Sequence, residues 1–308
     1  MNDYLNEIDS KYSIRRNDKE KQAFYEYVNA EIGEGRVSKQ TIGDNKNIVI
    51  DDILSADVIF TAHYDTPAAS IVPNMMMPRN KILGTLINML FPIFMALSSL
   101  GIASLIGYLA NLDEGAVVAI YLVLYFGLYF ILTRMLPNKH NKNDNTSGVA
   151  TVLSIAKQIS DKKVAFVLFD NEEKGLLGSK ALNKKYKSEF ENKLVINFDC
   201  VGNGDQMIFI TKEKAEAREE YLALEEVLKN CGEYDIHYVP LKKACSNSDY
   251  KSFPCSIGVM ACSKGKFAKA YTGRIHTSRD TVASAKNICF LSDMMIKMLD
   301  CRTNDCDA

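Results

Sequence analysis

Between Ile82 and Leu112 the chain carries no charged residue, and a second uncharged run extends from Gly115 to Thr133. Only Asp113 and Glu114 separate them. Crossing the hydrocarbon core of a bilayer takes about 20 helical residues. Each run is close to that length or longer. The bland alternative is a helical pair buried in a soluble core, but two such runs back to back are rare there. The pattern therefore predicts a helical hairpin that crosses a membrane twice, through residues 82–110 and 116–136. Arg79 and Lys81 precede the first run, and Arg134, Lys139 and Lys142 follow the second. This excess of Lys and Arg predicts that both outer ends lie in the cytoplasm. Ser98, Ser99, Gly101 and Gly107 are small residues on which the first span could pack against another helix, in the same chain or in a second one.

With residues 80–136 set aside, segments 1–79 and 137–308 read as one discontinuous α/β domain. Strands are expected at Asp57–Ala62, Val164–Phe169, Leu194–Phe198, Met207–Thr211, Ile236–Val239 and Ser256–Ala261. Val164–Phe169 is uniformly apolar, as in a strand covered on both faces. Helices are expected at Asn145–Ile159, Gly175–Tyr186, Lys212–Asn230 and Ala283–Leu299. The first carries Val149, Val152, Leu153, Ile155 and Ala156 at helical spacing, and the last carries Ile288, Leu291, Met294, Met295 and Met298 on one face. Strands alternating with helices predict a three-layer α/β/α sandwich with a mostly parallel central sheet.

Net charge is −1, which gives no reason to expect a nucleic-acid partner. The eight cysteines show no zinc-finger pairing and read as free thiols of a reducing compartment. Met1 to Gly35 is polar and charged, with no apolar core run of a signal peptide.

The chemistry-bearing residues follow the strands. His63 and Asp65 end the first, Glu172 and Glu173 follow Phe169, and Asp199 follows Phe198. In open α/β sheets ligands gather at the carboxyl ends of the strands. Asp144 stands just before a helix and His276 lies in a polar loop. Each has a bland reading: Asp65 as a turn residue, Asp144 as a cap, Glu172-Glu173 as a solvated first helical turn, Asp199 as a hydrogen-bonded cap, His276 as a loop residue. Together they offer two imidazoles and three carboxylates, enough for two divalent metals. Asp144 has two oxygens with which to bridge, Asp65 can orient His63, and Glu172 is left to carry a proton. That is the chemistry of metal-assisted amide hydrolysis. His140 and His237 have no comparable setting.

Five segments resemble the di-zinc exopeptidases of family M28, which include bacterial leucyl-type aminopeptidases. They are Ala62-His63-Tyr64-Asp65-Thr66, Asn143-Asp144-Asn145-Thr146-Ser147-Gly148, Phe169-Asp170-Asn171-Glu172-Glu173-Lys174-Gly175, Asn197-Phe198-Asp199-Cys200-Val201-Gly202 and His276-Thr277-Ser278-Arg279-Asp280-Thr281. Ser248-Asp249-Tyr250 with Phe253-Pro254 is similar to a later loop of that family. The resemblance covers roughly residues 15–79 and 137–300. It implies that His63 and Asp199 bind one metal, that Glu173 and His276 bind the other, and that Asp144 bridges them. It also implies zinc as the metal, a peptide as substrate, Glu172 as general base and Asp65 as the residue orienting His63.

Soluble members join the His-x-Asp segment to the bridging aspartate by a shorter connection. Here the hairpin occupies it, so the site is expected to face the membrane surface. That position could restrict the enzyme to short peptides or favour membrane-associated ones. Glutaminyl cyclases, which use one metal, are an alternative on a resembling fold. A non-catalytic receptor or scaffold would be expected to have lost ligands. A transporter would be expected to carry intramembrane charge, which these runs lack.

Overall fold

The computed structural model describes residues 3–71, 74–160, 163–229 and 231–304. Asn230, the last residue of one expected helix, and Cys306 lie outside the described residues. Two helices lead the chain, α1 (Tyr4–Lys11) and α2 (Asp18–Ile32). A capping box opens α2: Asn17 accepts the Glu20 N–H, and the Glu20 carboxylate accepts that of Asn17. Next come strands β1 (Val37–Ile42), β2 (Asn45–Ile50), β3 (Val58–His63) and β4 (Asn74–Met76). Helices α3 (Lys81–Ala110) and α4 (Glu114–Phe130) follow, the second continuing as a wider turn through Met135. The remainder alternates: α5 (Gly148–Gln158), β5 (Val164–Phe169), α6 (Leu177–Lys185), β6 (Leu194–Phe198), β7 (Gln206–Thr211), α7 (Glu213–Glu216), α8 (Glu219–Lys229), β8 (Asp235–Pro240), β9 (Ser256–Gly265), β10 (Lys269–Ile275) and α9 (Ala285–Asn304).

The sheet runs β1-β2-β5-β3-β6-β9-β10-β4, with β7 and β8 branching from β9. Its centre, β5-β3-β6-β9, is parallel, and the flanking β1-β2 and β9-β10-β4 pairings are antiparallel. Every residue of β3, β5 and β6 is buried, because helices cover both faces. On one face α1, α2, α5, α8 and α9 pack over Phe60, Phe166, Phe198 and Phe209. On the other, Leu182 of α6 joins Phe190 and Phe253 over Val49, Ile59, Val167 and Val195. The result is the expected mixed α/β architecture with helices on both sides.

Several bounds differ from expectation, for tertiary reasons. Helix α5 starts at Gly148 rather than Asn145, because the Asn145 amide is engaged elsewhere, donating to the Phe198 carbonyl and accepting the Gly148 N–H. The expected helix 212–230 breaks at Ala217-Arg218, between α7 and α8. The β1-β2 hairpin, its two-residue turn opened by Gly43 at φ 59°, went unread although a glycine-led turn is a hairpin signal.

Helices α3 and α4 stand apart from the sandwich. Both are long and apolar enough to cross a membrane. Met95, Ser99, Ala103 and Gly107, spaced by four, form the buried stripe of α3, and Gly107 leaves room for Val117 on α4. Of the four small residues singled out in this run, Ser98 is only half-buried and Gly101 is exposed. Elsewhere the helices are bare. Leu97 is 65% exposed, Leu109 73%, Val123 72% and Phe126 63%, so the rest of this chain does not cover these helices. The base of the pair is tied to the sandwich. Asn88 donates to the Met75 carbonyl at 2.9 Å, and Arg134 donates to the Glu173 carbonyl at 2.9 Å.

Candidate active site

The parallel strands end together, and three of the chemistry-bearing segments leave from their carboxyl ends. His63 is the last residue of β3, while Glu172-Glu173 and Asp199 follow β5 and β6. Asp144 enters from the segment before α5, and His276 from the residue after β10. Residues spread over more than 200 positions thus surround one point. His63 Nε2 lies 3.3 Å from Asp144 Oδ1 and 3.9 Å from Asp199 Oδ1. His276 Nε2 lies 3.0 Å from Asp144 Oδ2 and 3.5 Å from Glu173 Oε1. Asp144 therefore stands between the two imidazoles with one oxygen toward each. Glu172 groups with His63 and Glu173 in the same cluster. Asn171 (φ 54°), Cys200 (φ 57°) and His276 (φ 61°) are in the left-handed region beside the cluster. Backbone strain of this kind collects at functional sites, where the surroundings over-determine it.

The donor set fits divalent cations. Ligand atoms of His63, Asp144 and Asp199 lie within 4.8 Å of one another, as do those of Asp144, Glu173 and His276. Glu173 Oε1 and Asp199 Oδ1 are buried without a hydrogen-bond donor among the described residues. Buried unpaired carboxylate oxygens are costly, and a cation would offset that cost. His63 Nδ1 is 3.1 Å from the Asp65 carbonyl, which suits a donated Nδ1–H and leaves Nε2 facing the cluster.

Charge density perturbs the ionisation of the group. Burial, with Glu173, Asp249 and Asp199 nearby, raises the Glu172 carboxyl well above its ordinary value, against the pull of His63. Burial, with Asp144 close by, raises Glu173 to about 7, although His276 pulls it down. Burial alone would depress His276, but Glu173 and Asp144 overcome it and raise it to about 9. His63 is likewise raised, its desolvation outweighed by Glu172, Asp144, Asp65 and Asp199.

All seven residues selected from the sequence converge here, whereas His237 pairs with Asp235 and Arg79 outside the cluster. Three positioning residues went unread. Asp280, buried, accepts the N–H of Asp144 at 2.9 Å and of Asn143 at 3.1 Å. It lay four residues beyond His276, and that proximity was the available signal. Arg15, fully buried, donates to the Tyr64 carbonyl and to Thr146 Oγ1, joining the His63 and Asp144 segments. Lys21 pairs with Asp170 at 2.5 Å beneath the glutamates. An isolated Arg or Lys in a polar amino-terminal stretch announces neither role.

Solved structures share this fold. The LapA aminopeptidase of Legionella pneumophila is 17% identical, with a TM-score of 0.54 over 96% of this chain and 66% of its own. BSAP, a zinc aminopeptidase from Bacillus subtilis, is 16% identical, with a TM-score of 0.50 over 83% of this chain and 49% of its own. A glutaminyl cyclase from Porphyromonas gingivalis is 15% identical, with a TM-score of 0.61 over 97% and 96%. This chain thus spans about two thirds of the first protein and half of the second. The family model described as Peptidase family M28 matches residues 137–294, half of the chain, including all the candidate residues after the hairpin, and the chain belongs to that family.

Proposed function

We propose that the chain is a membrane-anchored di-metal exopeptidase, an aminopeptidase that hydrolyses the amino-terminal bond of peptides. One observation carries the reading. Asp144 sits between two imidazoles, each with its own further carboxylate, and Glu172 lies in the same cluster. His63 and Asp199 would hold one ion, Glu173 and His276 the second, and Asp144 both. Zinc suits this imidazole and carboxylate set. When bound, such ions acidify a water and polarise the scissile carbonyl.

Glu172 accepts a proton from the attacking water and returns it to the leaving amine. Burial raises its pKa, which makes it a stronger base than an ordinary carboxylate. Asp65 holds the backbone from which Glu172 projects. A single-metal cyclase on the same fold would leave one imidazole and carboxylate group unused, so metal counting separates the two readings.

Helices α3 and α4 would cross the bilayer, and residues 1–79 and 137–308 would form the cytoplasmic catalytic domain. Arg79, Lys81, Arg134, Lys139 and Lys142 at the hairpin base support that sidedness.

The test is mass spectrometry of a defined peptide mixture incubated with detergent-purified, zinc-loaded protein. Stepwise loss of amino-terminal residues is expected, with Glu172→Gln slower by about 10²- to 10⁴-fold and metal content unchanged. Intact peptides with zinc, cobalt and manganese alike would overturn the reading.

A further inference from the structure

A cavity of about 1190 Å³ is lined by His63, Asp144, Glu172, Glu173, Asp199 and His276 and extends to the hairpin. Pockets for small ligands are typically about 300–1,000 Å³, so this one has room beyond a terminal residue. Its far wall comes from both hairpin helices: Leu90, Phe91 and Phe94 on α3, Tyr129 and Thr133 on α4. The antiparallel register is set near the turn, where Gly107 meets Val117, symmetrically about Leu112. Continued along the α-helical part of the pair, the same register brings Met95 level with Tyr129.

Phe91 and Thr133 each lie 21 residues from Leu112. The α-helical part of that stretch, Phe91 to Ala110, rises about 28 Å at 1.5 Å per residue, close to the thickness of a hydrocarbon core. In the proposed spanning arrangement, with the turn at the far bilayer surface, this wall would lie at the boundary between hydrocarbon and headgroups on the catalytic side. Arg134, which lines the same cavity one residue beyond Thr133, belongs at that level, beside lipid phosphates. Tyr129 also suits it, since tyrosines concentrate at such interfaces.

We infer that the cavity admits its substrate from the bilayer surface. The preferred substrate is then the amino-terminal end of an apolar, membrane-inserted peptide, with the apolar residues beyond the scissile bond lying between Phe91 and Phe94 of α3 and Tyr129 of α4. This rests on the aminopeptidase reading and adds a substrate class to it. A short hydrophilic peptide reaches the same metal-binding groups but leaves the apolar wall unused.

The test uses the full chain reconstituted in phospholipid vesicles with two peptides sharing one amino-terminal tripeptide. One ends in a short polar tail and the other in an apolar span of about 20 residues. The membrane peptide is expected to be cleaved with the higher kcat/KM. Sharing a membrane could by itself produce that preference, so variants decide the matter. The combined change Phe91→Ser and Phe94→Ser should lower the membrane-to-soluble ratio about tenfold or more, the effect of removing a buried phenyl contact. Leu97→Ser, on the same helix but outside the cavity, should leave the ratio unchanged. Should the α3 variant fail to fold, Tyr129→Ser on the facing helix reports the same contact. No preference, or a preference untouched by the wall variants, overturns the inference and leaves the aminopeptidase reading intact. Cleavage of neither peptide overturns both.

Discussion

The carboxylate of Asp65 accepts the backbone N–H of Glu172 at 3.0 Å with Oδ1, and that of Glu173 at 3.2 Å with Oδ2. Its carbonyl, rather than its carboxylate, is the nearer partner of His63 Nδ1, at 3.1 Å against 3.6 Å. One residue thus ties an imidazole to the backbone of both glutamates. Asp65→Asn replaces one acceptor oxygen with an amide donor facing an N–H. Activity should fall by about 10- to 100-fold, the usual effect of removing the group that orients a ligand. Steady-state kinetics of Asp65→Asn with metal content measured in parallel would check this, and wild-type kcat/KM would refute it.

Asp280 plays the corresponding part for Asp144, accepting its N–H at 2.9 Å. Asp280→Ala leaves two buried N–H groups without their acceptor, at about 1–3 kcal/mol each. The variant should melt at a lower temperature and hold metal more weakly. Calorimetry with and without zinc reads both effects, and an unchanged zinc affinity would show that Asp280 supports only the fold.

Metal uptake should release protons. In the metal-free chain, His276 is raised to about 9, so its imidazole is protonated at pH 7, and His63 is shifted in the same direction by the carboxylates around it. A metal needs the neutral ring, and Glu173, raised to about 7, must also be ionised to bind. Zinc affinity should therefore increase as pH rises from about 6 to 9. Titration calorimetry in buffers of different ionisation enthalpy counts the protons, and a pH-independent affinity would contradict this protonation pattern.

Asp249 is fully buried, and neither carboxylate oxygen has a hydrogen-bond donor among the described residues. Burial raises it from 3.8 to about 7. A group raised on folding stabilises the protein below its unfolded pKa, and that stability is lost as pH rises through the folded pKa. The loss here is up to roughly 4 kcal/mol between pH 4 and pH 7. Asp249→Asn cannot ionise and should remove this part of the slope. Denaturant unfolding of metal-free protein at pH 5.5 and pH 8 should show the variant gaining on the wild type at the higher pH, whereas parallel losses in both would sink the idea.

Much of the fold was legible because it rests on local patterns. The all-apolar run Val164–Phe169 became β5, a strand covered on both faces. Ile288, Leu291, Met294, Met295 and Met298 mark one face of α9 and are all buried there. What stayed hidden depends on partners far along the chain. The start of α5 is set by the Asn145 contact with Phe198, and no local signal shows that Arg15 reaches Tyr64 and Thr146.

The sequence by itself determined the family, the alternating layers, the apolar length of the two interrupting helices and the chemical types of the candidate site. These follow from side-chain periodicity, charge and short motifs, which act over a few residues. Only the tertiary structure decided that His63 and His276, 213 positions apart, share Asp144. It alone decided that the hairpin base forms one wall of the same cavity. The physical reason is that sheet pairing and buried hydrogen bonds set those distances, and both are made between segments that carry no local record of one another.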